Sequence, residues 1–343
     1  MTAPAAGLKV VAIGGGTGLS TILRGLKHYV APNVASTTHP GPASTEPHIA
    51  DLTAVVTVTD NGGSSGRLRQ ELNILPPGDI RNCLVALSED EALLSRLFQY
   101  RFTAGEGLEG HNFGNLFLAA LTGITGDFAV AVREASEILT TRGHIVPATM
   151  ADVQLDAVMN DGSVVRGEVN ITASQKRIVE LRMFPEDVQP LPHTLDAIAN
   201  ADLISIGPGS LFTSLIPNLL VRGIADAIAA STAVRVFICN LMTQANESLG
   251  LTASQHIISI QHHAHCGRLF DYAVVNTAPV SPGLREQYAS ESAEQIVADA
   301  DAIRELGIIP VCGPYAAEGT VLRHAYDRVA RELVGLGYRT RVS

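Results

Sequence analysis

Short apolar runs alternate along the chain with longer segments of helical composition. Four of these runs are rich in Val, Ile and Ala and predict buried strands of a parallel sheet, at residues 8–13, 54–59, 202–206 and 234–239. The segments between them predict helices, among them one over residues 21–29 with Ser20 as its N-cap and another over residues 219–230. This alternation of strand and helix predicts an α/β fold with a mostly parallel sheet.

Residues 145–190 depart from this alternation. Two stretches of strand composition flank Asn160-Asp161-Gly162, a turn sequence typical of β-hairpins, so residues 156–171 are predicted to form a hairpin. Residues 176–184 predict a further strand, which gives an antiparallel flap on the main sheet, and we assign no functional residue to it. We expect residues 8–340 to form one α/β domain with a β-rich excursion at about 145–190, and a surface loop at 32–47.

The composition excludes several classes of protein. The chain has 343 residues, of which 46% are hydrophobic and 17% charged, so it can bury a large core. A net charge of −10 without a basic run argues against non-specific nucleic-acid binding. Charges interrupt the longest apolar stretch, residues 221–238, so no membrane span is expected. Four cysteines without a C-x-x-C pattern, and an N-terminus without signal-peptide character, predict a cytoplasmic protein with reduced thiols.

Each predicted strand of the main sheet ends in small or polar residues. The carboxyl ends of parallel strands lie at one edge of a sheet, so we expect these loops to meet in one cleft. Backbone N–H groups in glycine loops and at helix N-termini bind phosphate, which predicts a nucleotide or phosphate site there. The predicted ligand residues of these loops are Gly15, Gly16, Thr17, Gly18, Asp60, Asn61, Gly62, Gly63, Ser64, Ser65, Gly207, Pro208, Gly209, Ser210, Thr213, Asn218 and Asn240.

The first glycine loop does not fit two common nucleotide-binding motifs. It lacks the Gly-Lys-Ser/Thr end of a Walker A motif, and Leu19 occupies the third glycine position of the dinucleotide fingerprint. Together with the serine-rich second loop, these departures disfavour an ordinary dinucleotide-dependent oxidoreductase.

A Pro-Pro-Gly turn precedes a further polar segment. Asp79 is predicted to be the N-cap of a helix that carries Arg81 and Asn82 on its first turn, beside any bound anion. The alternative is an ordinary capped helix with a solvated arginine, and the sequence does not decide between the two.

His111 and Asn115 mark the start of an apolar helix predicted over residues 116–121 and are expected to line the cleft. A lone histidine at a helix entry is more often structural, and that alternative stays open. Asp60 and His111 are the candidate catalytic groups, because no better nucleophile or general base stands out. The histidines within residues 256–265 lack the paired spacing of a zinc site, so no metal is assigned to them.

With these loops collected, the sequence resembles the YvcK/CofD-like family, and most closely its YvcK branch, the gluconeogenesis factors. The resemblance is carried by segments that extend over nearly the whole chain, at residues 14–20, 60–69, 76–84, 110–115, 207–211, 216–220 and 239–244. It implies a Rossmann-like three-layer α/β sandwich in a cytoplasmic bacterial protein that binds a nucleotide or a UDP-sugar such as UDP-N-acetylglucosamine. Tyr288 and Arg323 match positions of UDP-sugar contact in this branch, where a tyrosine can stack on uracil and an arginine can pair with diphosphate.

The resemblance also implies a biological setting. Members of the YvcK branch act in cell shape and in growth on gluconeogenic carbon sources. We therefore expect a homo-oligomer of two or more chains, with partners among the proteins of cell-envelope synthesis.

The CofD relatives are 2-phospho-L-lactate transferases that use magnesium, which gives the alternative function. In that case Asp60 and Asp79 would hold Mg²⁺ and a phosphorylated donor. The family often has aspartate where Asn61 stands, and the loss of one carboxylate ligand weakens the case for a metal-dependent transferase. The leading expectation is therefore a UDP-sugar-binding regulatory protein without turnover.

Overall fold

The computed structural model describes residues 7–31, 47–89, 93–245 and 247–341, so nearly all of the predicted loop at 32–47 lies outside the described residues. The strands in these ranges are, in chain order, β1 Leu8–Gly14, β2 Ile49–Val56, β3 His144–Pro147, β4 Gln154–Met159, β5 Val164–Arg166, β6 Ile178–Phe184, β7 Leu203–Ile206, β8 Val234–Ile238, β9 Tyr272–Asn276, β10 Ile309–Gly313, β11 Ala316–Ala317 and β12 Arg323–His324.

The α-helices of the described ranges are α1 Gly16–Leu26, α2 Gly63–Leu72, α3 Gly78–Leu87, α4 Leu93–Gln99, α5 Phe113–Thr125, α6 Phe128–Ile138, α7 Glu168–Ala173, α8 Pro192–Ala199, α9 Ile216–Leu220, α10 Ile224–Ala230, α11 Ala253–Ala264, α12 Pro282–Ser290, α13 Ala300–Glu305 and α14 Tyr326–Arg341. A 3-10 turn, Lys27–Tyr29, follows α1, and a π-helical turn, Leu211–Leu215, leads directly into α9.

Seven of the described strands form one sheet in the order β10-β9-β8-β7-β1-β2-β3, and every neighbouring pair in it is parallel. All four residues of β7 are buried, and in β1 only Lys9 is exposed. Strands that are apolar on both faces lie between layers of helices. The predicted α/β fold is therefore confirmed, and the four predicted strands correspond to β8, β7, β1 and β2, which are neighbours in the sheet.

A separate antiparallel sheet has the order β5-β4-β6. It confirms the predicted hairpin and flap, but only as far as Arg166. The end of the predicted hairpin was wrong: residues 168–173 form α7, because Gly167 turns the chain with a φ of +81°. β3 also lies within the segment predicted to be β-rich, yet it pairs in parallel with β2 at the edge of the main sheet.

Glycines begin the two helices that follow β1 and β2. α1 starts at Gly16, so the prediction of Ser20 as its N-cap was wrong; Ser20 lies inside the helix and donates its Oγ to the carbonyl of Thr17 at 3.0 Å. α2 likewise starts at Gly63, within the second glycine loop. The first N–H groups of a helix have no partner inside it, so in both loops they can donate to side chains or to a ligand.

Two other predicted helices have different bounds. α5 extends beyond the predicted residues 116–121, because the side chain of Asn112 caps it by accepting two backbone N–H groups of its first turn. The predicted helix over residues 219–230 is divided into α9 and α10, which are separated by Gly223 with a φ of +78°.

No single helix of the described ranges has both the length and the apolarity that a membrane span needs. Two bent pairs have both only when joined: α5 with α6, bent by 120°, and Leu211–Leu220 with α10, bent by 79°.

Candidate functional site

A cavity of about 560 Å³ opens at the carboxyl ends of β8, β7, β1 and β2. Its volume is that of an ordinary small-molecule site. The loops that follow all four strands contribute to its lining. The predicted ligand residues that line it are Gly15, Gly16, Thr17, Gly18, Asp60, Asp79, Pro208, Gly209, Ser210, Thr213, Asn240, Tyr288 and Arg323.

The glycine loops after β1 and β7 touch each other through their backbones. A Cβ on Gly18 would lie 2.3 Å from the carbonyl oxygen of Pro208, so only glycine allows this approach. Asn240 fixes the second loop: its Oδ1 accepts the Gly209 N–H at 3.0 Å, and its Nδ2 donates to the Gly209 carbonyl at 2.8 Å. The loops and the N-terminus of α1 thus form one wall of the cavity, where backbone N–H groups that have no acceptor among the described residues suit phosphate oxygens.

Asp60 and Asp79 line the cavity beside this wall. Asp60 Oδ1 accepts the Gly62 N–H at 2.9 Å, which fixes the carboxylate after β2. The prediction that Asp79 caps α3 was wrong, because Pro77 holds the cap position and Asp79 lies in the first turn. There it accepts the Gly16 N–H, while burial and the Asp60 charge raise the pKa of Asp79 to about 7.

A third carboxylate, Glu168, enters the cavity from α7, outside the main sheet. Its Oε2 accepts the backbone N–H of Asn61 at 3.2 Å, and the Oδ1 of Asn61 accepts the N–H of Val169 at 3.0 Å. Burial, and next the charge of Asp60, raise the pKa of Glu168 to about 7. The Asn61 side chain, predicted to contact a ligand, therefore joins the loop after β2 to α7.

Several lining residues were not identified from the sequence: Thr21, Thr59, Glu168, Ser214, Leu241, Met242, Gln244, Leu322 and His324. Met242 and Gln244 follow β8 inside a segment that carries the family resemblance, so their position could have been inferred. Gln244 donates its Nε2 to Ser210 Oγ at 2.8 Å. No local pattern connects Glu168 or Leu322 with the cavity.

A buried carboxylate beside the cavity holds the loop after β7. Glu247 accepts the Phe212 N–H at 3.0 Å and the Thr213 hydroxyl at 2.9 Å. The Thr213 carbonyl accepts from Thr59 Oγ1 at 3.1 Å, so hydrogen bonds connect the loops after β7 and β2. Burial raises the pKa of Glu247.

α12 and β12 form the C-terminal side of the cavity. Tyr288 Oη accepts the Leu322 N–H at 3.0 Å, which holds an aromatic and an aliphatic side chain at the same wall. His324 contacts the Cys239 carbonyl through Nε2 at 3.0 Å, and burial lowers the pKa of His324 to about 4, so it is neutral at physiological pH. Arg323 is therefore the permanent cation among the described residues that line the cavity.

Six predicted ligand residues lie outside this lining, in a polar cluster between α2, α3 and α5: Ser64, Ser65, Arg81, Asn82, His111 and Asn115. Asn115 donates to Ser64 Oγ at 3.2 Å, and Ser64 Oγ lies 3.1 Å from His111 Nδ1. Arg81 donates to Oδ1 of Asn115 at 3.1 Å and to Oδ1 of Asn82 at 2.7 Å. Burial lowers the pKa of His111. These contacts connect the three helices.

The remaining predicted residues, Asn61, Gly62, Gly63, Gly207 and Asn218, lie next to the cavity without lining it. Gly62 and Gly63 begin α2, and Gly207 turns the chain after β7 with a φ of +89°. Asn218 donates its Nδ2 to the carbonyls of Ser214 at 2.8 Å and Gly14 at 3.2 Å. It therefore joins the segments that follow β7 and β1.

Among the described residues, no group of three or more His, Cys, Asp or Glu side chains is arranged to hold a metal ion. In the histidine-rich segment, His263 contacts the Ser259 carbonyl through Nδ1 at 2.7 Å and accepts the Leu181 N–H at Nε2 at 3.0 Å. This histidine therefore joins α11 to β6.

Known proteins share this architecture and sequence. A family model described as 2-phospho-L-lactate transferase CofD matches residues 10–315. The chain is 46% identical over 326 residues to the gluconeogenesis factor of Halalkalibacterium halodurans, and the match covers 95% of each chain. It is 45% identical over 329 residues to the gluconeogenesis factor of Bacillus subtilis, covering 96% of this chain and 98% of the relative.

The solved structures include a crystal structure of a UPF0052 family member from Bacillus halodurans, which is similar to this fold. The TM-score is 0.87 at 45% identity, and the match covers 96% of this chain and 100% of that chain. Sequence and structure thus agree over nearly the whole length, and the chain belongs to the CofD family, with gluconeogenesis factors among its relatives.

Proposed function

We propose that this protein is a UDP-sugar-binding regulatory protein that acts as a gluconeogenesis factor, as the names of its relatives suggest. The observation that carries the proposal is the order of chemical groups along the sheet edge. An apolar and aromatic wall, a wall of backbone N–H groups and a carboxylate wall follow one another from β8 to β2. A nucleotide sugar presents a base, a diphosphate and a hydroxyl-rich ring in the same order.

The apolar wall suits the base. Leu241 and Met242 follow β8, and they pack in one apolar cluster with Leu322 and Tyr288 at this side of the cavity. The hydrogen bond to Tyr288 Oη restrains the ring, and Tyr288 lines the cavity, where an aromatic side chain can stack on uracil.

The central wall suits the diphosphate. Thr17 and Gly18 of the first loop and Ser210 of the second supply backbone donors, and Arg323 supplies the charge. Neighbouring strands are spaced about 4.8 Å apart, so the three steps from β8 to β2 span roughly 14 Å, enough for an extended nucleotide diphosphate with a sugar attached. Local donors must hold the anion, because the chain carries a net charge of −10.

The regulatory part of the proposal rests on the family. We propose that this protein is cytoplasmic, folds as one domain and assembles as a homo-oligomer. It would bind its ligand without turnover, and the bound state would regulate its partners in cell-envelope synthesis. Growth on gluconeogenic carbon sources and cell shape would then depend on the nucleotide-sugar level.

Calorimetric titration with UDP-N-acetylglucosamine, UDP and GDP tests the binding. We expect a Kd in the micromolar range or below for UDP-N-acetylglucosamine, with the ligand recovered intact. Arg323→Ala should weaken binding roughly tenfold or more, since a hydrogen bond to a charged group contributes about 1.5–3 kcal/mol. Arg182→Ala is the matched control, because Arg182 pairs with Glu180 on β6 at 2.9 Å outside the cavity. Failure to bind any uridine nucleotide would refute the proposal.

The second candidate is a CofD-type transferase that moves a phospholactyl-like group from a nucleotide-activated donor. The family model favours it, and so does the closeness of Asp60 and Asp79, whose charges interact. Carboxylate and phosphate oxygens are the ligands that Mg²⁺ prefers, so these two residues fit this ion, which would neutralise phosphate charge. Magnesium-dependent consumption of such a donor, abolished by Asp60→Asn, would establish this function and exclude binding without turnover.

A further inference from the structure

Glu168 is the one residue of the antiparallel unit (β4, β5, β6 and α7) that lines the cavity. The main sheet and its loops supply the walls for base and phosphate. Glu168 lies at the opposite end from Tyr288, beside Asp60 and the segment that follows β2. A ligand whose phosphates occupy the glycine loops therefore extends either towards Tyr288 or towards Glu168.

We propose that Glu168 is the specificity residue for the sugar ring: it accepts hydrogen bonds from ring hydroxyls and so distinguishes a nucleotide sugar from the free nucleoside diphosphate. This inference rests on the proposed nucleotide-sugar function. It assigns to the antiparallel unit the selection of the sugar and leaves the holding of the nucleotide to the main sheet.

The contacts of Glu168 leave it able to do this. Oε2 is fixed by the N–H of Asn61, and the return bond from Val169 to Asn61 anchors the start of α7. Among the described residues, none donates a hydrogen bond to Oε1, which leaves that oxygen for a ligand. The carboxylate is thus held in place by one oxygen and can accept with the other.

The charge at this end of the cavity selects the kind of group that binds there. Asp60 and Glu168 are acceptors when ionised, so they attract hydroxyl donors and repel phosphate. The raised pKa of Glu168 indicates that its charge is poorly solvated where it stands. Hydroxyl groups of a sugar would supply the missing donors, whereas a free diphosphate supplies none.

The test compares the Kd of UDP-N-acetylglucosamine with that of UDP, by calorimetry, in the full chain and its variants. Glu168→Ala removes the acceptor, and Glu168→Gln keeps an acceptor for Asn61 while removing the charge. In Glu168→Ala we expect the preference for the nucleotide sugar over UDP to fall roughly tenfold or more, with Glu168→Gln between it and the wild type. Glu180→Gln is the matched control, because Glu180 lies on β6 of the same unit outside the cavity.

A ratio of the two Kd values that is unchanged in both Glu168 variants overturns the inference, and so does a wild type that binds UDP as tightly as the nucleotide sugar. In either case nucleotide binding itself stands. A wild type that binds neither compound refutes the proposed function instead. If Glu168→Ala unfolds, the ratio of Kd values measured with Glu168→Gln decides. A carboxylate that accepts from sugar hydroxyls should lose part of the preference for the nucleotide sugar over UDP when it loses its charge.

Discussion

Gly18→Ala tests whether the two glycine loops really meet through their backbones. The added Cβ would lie 2.3 Å from the carbonyl oxygen of Pro208, 2.7 Å from its carbonyl carbon and 3.0 Å from the Cα of Gly209. All three are backbone atoms, so no side-chain rotation relieves the contact and a loop must move. Overpacking of this kind costs about 1–3 kcal/mol, and the better helix propensity of alanine offsets about 1 kcal/mol of it.

We therefore expect Gly18→Ala to lower the free energy of unfolding by up to about 2 kcal/mol, measured by urea denaturation followed by circular dichroism. Calorimetry should show weaker nucleotide binding, because the moved loop no longer presents its N–H groups together. The matched control is Gly123→Ala in α5, where no atom beyond the chain neighbours and the surrounding helix backbone lies within 4 Å of the new Cβ. This variant should gain about 0.5–1 kcal/mol with unchanged binding. Equal stability of the two variants, with equal nucleotide affinity, would refute the reasoning.

Two further predictions concern buried carboxylates. Asp79 and Glu168 have their pKa values raised from 3.8 and 4.5 to about 7, so the folded protein binds more protons than the unfolded chain in this window, and the free energy of unfolding should fall as the pH rises from about 4 to 7. Urea denaturation across this range measures the slope; Asp79→Asn should flatten it, and an unaltered slope contradicts the prediction. Glu247→Ala leaves the Phe212 N–H and the Thr213 hydroxyl without their acceptor and should cost about 1–3 kcal/mol of unfolding free energy. Glu247→Gln, which keeps an acceptor, should cost less in the same assay, and equal losses would mean that these bonds are unimportant.

The parallel sheet could be predicted because its strands are buried on both faces. Such strands are continuous apolar runs, and β7 and β8 are visible in the sequence for that reason. The small polar residues that follow them indicate the sheet edge where the cavity lies. Local composition is sufficient to predict these features, because a buried strand is a run of consecutive apolar residues and its end is marked by the small polar residues that follow.

The errors have a different cause, which is contact between residues far apart in the chain. α1 begins at Gly16, four residues before the predicted cap, in a loop packed against Pro208 on another strand's loop. The hydrogen bond between Asn61 and Glu168 joins residues separated by 107 positions, and no sequence pattern near Glu168 predicts it. Single-sequence reasoning detects local periodicity and turn chemistry, whereas such pairings are decided by the tertiary fold.

The side-chain amide of Asn240 hydrogen-bonds both the N–H and the carbonyl of Gly209, and this has a thermodynamic consequence. With Gly18 already in contact with Pro208 on the other side, the loop after β7 is held before any ligand arrives. A preformed cradle loses little conformational freedom on binding, so more of the interaction energy is retained as affinity. On the proposed function, the two loops would therefore bind phosphate as a rigid, preformed site.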